Sequence, residues 1–160
     1  LSNSNKFFFK LTINNLPFQI FILLIFIQIM MGALVSGLDA GKIYQTWPMM
    51  GSNYFPNDFN FKDLSSTLEF NNHSLVQFYH RNLAYLIILY AIFLSIFIYK
   101  KKLFNLYLSL KILLFILLLQ IALGIFTLVT GLNIYLASVH QITSVLLVLS
   151  ALNLYYCRAK

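Results

Sequence analysis

Polar residues gather in a few blocks along this chain and leave four long stretches almost free of charge. Apolar side chains dominate residues 18–38, 75–99, 108–129 and 134–157. Each run is near the ~20 residues that a helix needs to cross a bilayer. Residues 1–16 form an asparagine-rich lead-in, and Pro17 suits a first helical turn, where its missing N–H is not needed. The longest polar stretch, residues 39–74, is punctuated by Pro48, Gly51, Pro56 and several Asn and Asp. Gly131 and Asn133 turn the chain between the third and fourth runs. The expected fold class is all-α: one transmembrane four-helix bundle spanning residues 1–160, up-and-down, with a long outer loop between helices 1 and 2. That loop is aromatic for a connection, with Tyr44, Trp47, Tyr54, Phe55, Phe59, Phe61 and Phe70. Loops this long are usually functional or disordered, and its aromatics suggest a folded flap at the interface, a belt at headgroup level, or both.

Composition agrees with a membrane protein. The chain is 60% hydrophobic and 9% charged, against roughly 25% charged in soluble domains. Its net charge of +7 invites a nucleic-acid reading, but the distribution of charge removes it. Lys6 and Lys10 precede the first run, Lys100, Lys101, Lys102 and Lys111 flank the second connection, and Arg158 and Lys160 follow the fourth run. With four spans these eight all lie on one side, against Lys42, Lys62 and Arg81 elsewhere. The four acids, Asp39, Asp58, Asp63 and Glu69, occupy the opposite loop. The positive-inside rule then puts both termini in the cytoplasm or matrix, with membrane lipid and no nucleic acid as partner. A single cysteine, Cys157, allows no internal disulfide and disfavours a cysteine metal site. The start at Leu1 suggests a processed or truncated chain, and the first run is too long for a signal peptide.

Polar and small residues within the runs supply the candidate chemistry. Gly32 with Ser36, and Ala33 with Gly37, are small-xxx-small pairs expected to serve plain helix packing. Gln120, with Ala122 and Gly124 nearby, is expected to hydrogen-bond a neighbouring helix. Histidine at membrane depth is costly and points to function. His80 lies five residues into the second run and His140 six into the fourth, so both sit roughly 8–9 Å along their helices. In an up-and-down bundle they share one membrane face. Two imidazoles at matched depth on different helices are what axial ligation of a haem iron needs. Ala84 beside His80, and Ala137, Thr143 and Ser144 around His140, leave room for a flat macrocycle. Arg81 stands at the outer end, where a cation meets haem propionates. His73, in the polar FNNHS segment, reads as a solvated loop residue.

These motifs resemble the second half of the haem A synthase family, membrane enzymes that make haem A from haem O. GALVSGLDAG, followed by Tyr44, Thr46, Trp47, Pro48 and Met50, is similar to that half's GALVAGLxAGxxYNTWPxM. LVQFYHR resembles VQFDHR, LQIALGIFTL resembles LQxxLGIxTL, and VHQ resembles AHQ. The matches run in order from about Gln28 to Ser144, with Tyr79 where the family commonly has Asp and Asn71 where it has Glu.

The resemblance implies that His80 and His140 ligate haem b, with iron as the metal. It also implies a partner: an N-terminal half, or second four-helix unit, carrying its own histidines and an intramembrane glutamate. No acid lies in any span here, so no catalytic residue is assigned. The function implied is the haem-b-bearing half of an oxidoreductase that converts a haem O methyl to the formyl of haem A for cytochrome c oxidase, inactive alone. The location implied is a bacterial inner or mitochondrial inner membrane. Two alternatives are a bis-histidine cytochrome b without oxidase activity, and a haem-free scaffold.

Overall fold

A computed structural model describes residues 13–58 and 70–159 of the chain. It contains helices α1 (Leu16–Gly37), α2 (His73–Lys100), α3 (Tyr107–Val129) and α4 (Ile134–Ala159). Short 3-10 turns at Ala40–Lys42 and Phe104–Leu106 follow α1 and precede α3. All four helices are long and apolar enough to cross a membrane, as the hydrophobic runs predict. The described residues hold no strand beyond an isolated bridge between Met50 and Asn53. Phe59, Phe61, Lys62, Asp63 and Glu69 of the loop, with Lys6, Lys10 and Lys160, lie outside the described residues.

Local chemistry sets the helix ends. Asn72 starts α2, its Oδ1 accepting from the Leu75 N–H at 3.1 Å. Asn133 starts α4, accepting from the amides of Tyr135 and Leu136 at 3.0 and 3.4 Å. An asparagine in this position satisfies amides that the first turn leaves unbonded. The Asn72 cap moves the start of α2 to His73, which corrects the loop placement of that residue: it is exposed, but helical. The turn from α3 to α4 uses Gly131 at φ 74° and Leu132 at φ 63°. Leu132 then packs on the 3-10 turn after α1, where a Cβ on Gly41 would come within 2.9 Å of its Cδ2.

Contacts between helices give the direction of each. Near the start of α1, Gln19 Nε2 donates to the Tyr155 hydroxyl at 2.8 Å, near the end of α4. The Tyr90 hydroxyl donates to the Pro17 carbonyl at 3.1 Å, and the Phe18 ring meets Phe97 edge-on at 6.2 Å. Helix α1 therefore runs against both α2 and α4. Asn153 Nδ2 donates to Ser109 Oγ at 3.2 Å, near the start of α3, so α3 runs against α4. Helices α2 and α3 touch little.

Buried apolar side chains concentrate at the lysine-bearing end. Phe18, Phe21 and Ile25 meet Leu94, Ile98, Leu110, Leu113 and Leu154 there. Around the histidines burial thins, with no fully buried residue in 78–86, 118–126 and 134–142, while Leu75, Val76 and Met50 are buried at that end. The small residues of α1 divide. Gly32 packs against α2, while Ala33, Ser36 and Gly37 are exposed. A Cβ on Gly37 would meet nothing within 4 Å. Among the described residues these three therefore face outward rather than into a helix interface.

Candidate functional site: a paired histidine centre

The end away from the lysines holds both intramembrane histidines, His80 seven residues after the first residue of α2 and His140 six after that of α4. On α1, Gln28 Nε2 donates to the main-chain carbonyl of His80 at 3.1 Å. The same nitrogen lies 3.2 Å from His80 Nδ1 and 3.4 Å from Nε2. One turn along, Gly32 lies under the imidazole, where a Cβ would come 3.2 Å from Cε1. On α3, Gln120 Nε2 donates to the main-chain carbonyl of His140 at 3.0 Å and lies 3.4 Å from its Nε2. One turn along from Gln120, a Cβ on Gly124 would come 3.0 Å from His140 Cε1.

The same unit is thus built twice: a glutamine and a glycine four residues apart on one helix hold and admit a histidine on the next. QIMMG at residues 28–32 and QIALG at 120–124 carry the signal. Reading the sequence singled out Gln120 as an interhelical hydrogen-bonder, and the structure places it so. It missed the matching role of Gln28 and the space that both glycines provide.

The two units differ in what holds the glutamine amide. His140 Nδ1 lies 3.1 Å from the Gln120 main-chain oxygen. A carbonyl can only accept, so Nδ1 carries the proton and Nε2, 3.4 Å from the Gln120 side-chain nitrogen, is the ring's acceptor. The Thr143 hydroxyl donates to Gln120 Oε1 and fixes that amide. Three residues after His80 stands Leu83, which has no hydroxyl. Gln28 Oε1 is buried and has no hydrogen-bond partner among the described residues.

Among the described residues, no group of three or more His, Cys, Asp or Glu forms around the imidazoles of α2 and α4. Ala84, Ala137 and Ser144 are half-buried and Thr143 is buried. His73 does not join this centre.

Arg81 points to the loop. Its Nη1 donates to the carbonyls of Thr46 at 2.9 Å and Met49 at 3.3 Å, and its Nη2 to that of Tyr44 at 2.9 Å. Gln77 Nε2 reaches the same Tyr44 carbonyl at 2.8 Å. Tyr54 and Phe55 pack on Phe78, with ring centroids 5.7 and 5.3 Å apart, and the Tyr54 hydroxyl donates to Asn82 Oδ1. The described part of the loop is therefore strapped over the first turns of α2. Three of the five guanidinium donors serve the loop, and the buried Nε of Arg81 has no partner among the described residues.

Comparison with known proteins follows the same motifs. The family model COX15-CtaA, described as cytochrome oxidase assembly protein, matches residues 14–152. Heme A synthase of Pelagibacter ubique is 47% identical over 143 residues, 86% of this chain and 41% of that protein. Heme A synthase of Rickettsia prowazekii is 37% identical over 131 residues, 79% of this chain and 37% of its own length. For Caulobacter vibrioides heme A synthase the figures are 36% over 122 residues, 73% and 34%. The chain spans well under half the length of these curated relatives. No solved structure matches it.

Proposed function

We propose a function from one premise: this chain belongs to the COX15-CtaA family of cytochrome oxidase assembly proteins. In this reading it is the half of a haem A synthase that holds haem b between His80 and His140. The observation that supports it is the doubled unit, an imidazole on α2 and another on α4, each seated over a glycine and held by a glutamine of the neighbouring helix. The donor set suits iron, since neutral imidazole is a usual axial ligand of haem. Buried polar atoms without partners, Gln28 Oε1, Gln77 Oε1 and Arg81 Nε, cluster on the His80 side, where a large polar-edged group would meet them.

Haem b bound there supplies a one-electron store. The chain's residues do the rest. His80 and His140 bind from opposite helices, and Gly32 and Gly124 let the rings lie close to α1 and α3. Gln28 and Gln120 hold the histidine turns across the helix interface. Arg81 keeps its Nε for a propionate while its other nitrogens hold the loop. No Asp or Glu lies in the four helices, so this half brings no intramembrane carboxylate to the oxidation of the haem O methyl. That step belongs to a second four-helix unit carrying its own histidines and a carboxylate, with haem O as substrate and haem A as product. The charge pattern supports termini on the cytoplasmic or matrix side.

The test is an absorption and electron paramagnetic resonance spectrum of the purified chain, with His80→Ala and His140→Ala beside it. Each variant should lose the six-coordinate low-spin haem signal, while His73→Ala keeps it. A low-spin spectrum surviving in both variants would sink the ligand assignment. The chain alone should convert no haem O. Haem A accumulating in cells with no other synthase would refute the half-enzyme reading.

A further inference from the structure

We propose that an anionic phospholipid seats between α2 and α3 at the lysine-bearing end, its phosphate on Lys100 and Lys111 and its acyl chains along both helices. This site is independent of the haem reading. Charge at that end is of one sign. All four acids lie within residues 39–69, and Lys100 ends a helix of 28 residues that starts after them, about 42 Å long. Among the described residues the ion pair formed is Lys42 with Asp39, at 2.9 Å, in the outer loop. Lys100, Lys101, Lys102 and Lys111 are all exposed. Lysines clustered just beyond a membrane helix attract anionic headgroups, each by about fivefold in affinity.

The aromatic rings fix where the mouth of the site lies. Tyr99, beside Lys100, meets Tyr107 with ring centroids 4.6 Å apart, where the end of α2 reaches the start of α3. Lys111 stands four residues after Tyr107, and residues at that spacing share a helix face. Its stem therefore lies on the side of α3 that Tyr107 turns to α2. Helical Cα–Cβ bonds tilt toward the N-terminus, which carries the ammonium back toward Lys100 and the headgroups. Beyond the tyrosine pair, toward the middle of the membrane, α2 and α3 touch little. Both present exposed apolar rows there: Leu89, Ile92 and Ile96 lead up to Tyr99, and Phe115 and Leu118 continue from Lys111. A cationic mouth over two apolar walls matches a charged headgroup and its chains. Orientation of the chain asks only for basic residues in the connection, whereas Lys111 sits inside α3 on an otherwise apolar row. A second copy of this chain would bring the same lysines to the same depth and be repelled.

The test titrates the full chain in neutral detergent with phosphatidylglycerol or with phosphatidylcholine of the same acyl chains. A ligand that binds the folded state raises its unfolding temperature, so phosphatidylglycerol should raise it and phosphatidylcholine should not. Lys100→Gln and Lys111→Gln should each need about fivefold more phosphatidylglycerol for the same shift. Lys111→Arg should restore the response, and Lys42→Gln should leave it unchanged. For placement, Phe115→Trp and Leu149→Trp are made in a Trp47→Phe background, which removes the native tryptophan. Leu149 is exposed on α4 at a similar distance from the lysine-bearing end. Chain-brominated phosphatidylglycerol should quench Phe115→Trp more than brominated phosphatidylcholine does, and the two should quench Leu149→Trp alike. Equal unfolding shifts from the two lipids, or an unaltered response in Lys111→Gln, would overturn the proposal. So would the same quenching pattern at both positions, the mark of lipid with no fixed place. A Phe115→Trp signal that neither lipid quenches would overturn it by showing protein over the site. Inorganic phosphate reproducing the shift would do so by showing that the chains play no part.

Discussion

Adding one methyl group at Gly124 tests the site by geometry. The new Cβ would lie 3.0 Å from His140 Cε1, 3.5 Å from Nδ1 and 3.6 Å from Nε2. Carbon atoms rest at about 3.5–4.0 Å, so the ring must retreat by roughly half an ångström. It is not free to do so, since Nδ1 is bonded to the Gln120 carbonyl at 3.1 Å. That retreat would stretch the bond to about 3.6 Å, where it no longer counts as a hydrogen bond. Overpacking costs about 1–3 kcal/mol, and Ala regains about 1 kcal/mol over Gly inside a helix. The fold survives, and the strain falls on the ligand. A loss of about 1.4 kcal/mol in haem binding is tenfold in affinity, and Gly124→Ala should show at least that. Gly32→Ala, at 3.2 Å from His80 Cε1, should show less, and Gly37→Ala, with nothing within 4 Å, should show no change. The assay is haem per protein from reduced-minus-oxidised spectra of purified variants, with thermal unfolding in detergent as the stability control. Equal haem content in all three, or a loss at Gly37→Ala as large as at Gly124→Ala, would refute the close approach.

Other predictions concern the frame around the site. Leu94, fully buried at the packed end, should lose about 2–5 kcal/mol on truncation to Ala. Leu118, 67% exposed on the outer surface of α3, should lose within about 0.5 kcal/mol; equal losses in thermal unfolding would misplace the core. Arg81→Ala leaves the carbonyls of Tyr44, Thr46 and Met49 without their donor, worth about 1–3 kcal/mol. Limited proteolysis between residues 44 and 58 should quicken by about tenfold or more, and an unchanged rate would mean that the arginine does not hold the loop. A tag after Lys160 should resist protease added from the periplasmic or intermembrane side, and its cleavage there would overturn the charge-based orientation.

Span number was legible because it follows from counting apolar residues along the chain. Charge marks where each run ends, and His80 and His140 are the two histidines inside the runs. The rotation of α1 was not legible. That helix is apolar on every face, so nothing in its pattern separates the side that meets α2 from the side that meets lipid. Gln28 therefore gave no sign of facing His80, and Ala33, Ser36 and Gly37 gave none of facing outward. The hold of Arg81 on the loop was not legible either: its partners are main-chain carbonyls of a distant loop, and backbone acceptors leave no mark on residue type. The start of α2 at His73 was there to be read in Asn72, a strong helix-starting residue.

Crowding of buried side chains at the lysine-bearing end has a mechanical consequence. The bundle is clamped at one end and compliant at the other, like a tuning fork whose prongs are the histidine-bearing stretches of α2 and α4. Local opening is cheapest where buried contacts are few. Fewer side chains are buried along the prongs than in the stem, so opening them breaks fewer contacts. Stiffness sits where the helices must stay in register, and give sits where a rigid disc would have to be gripped.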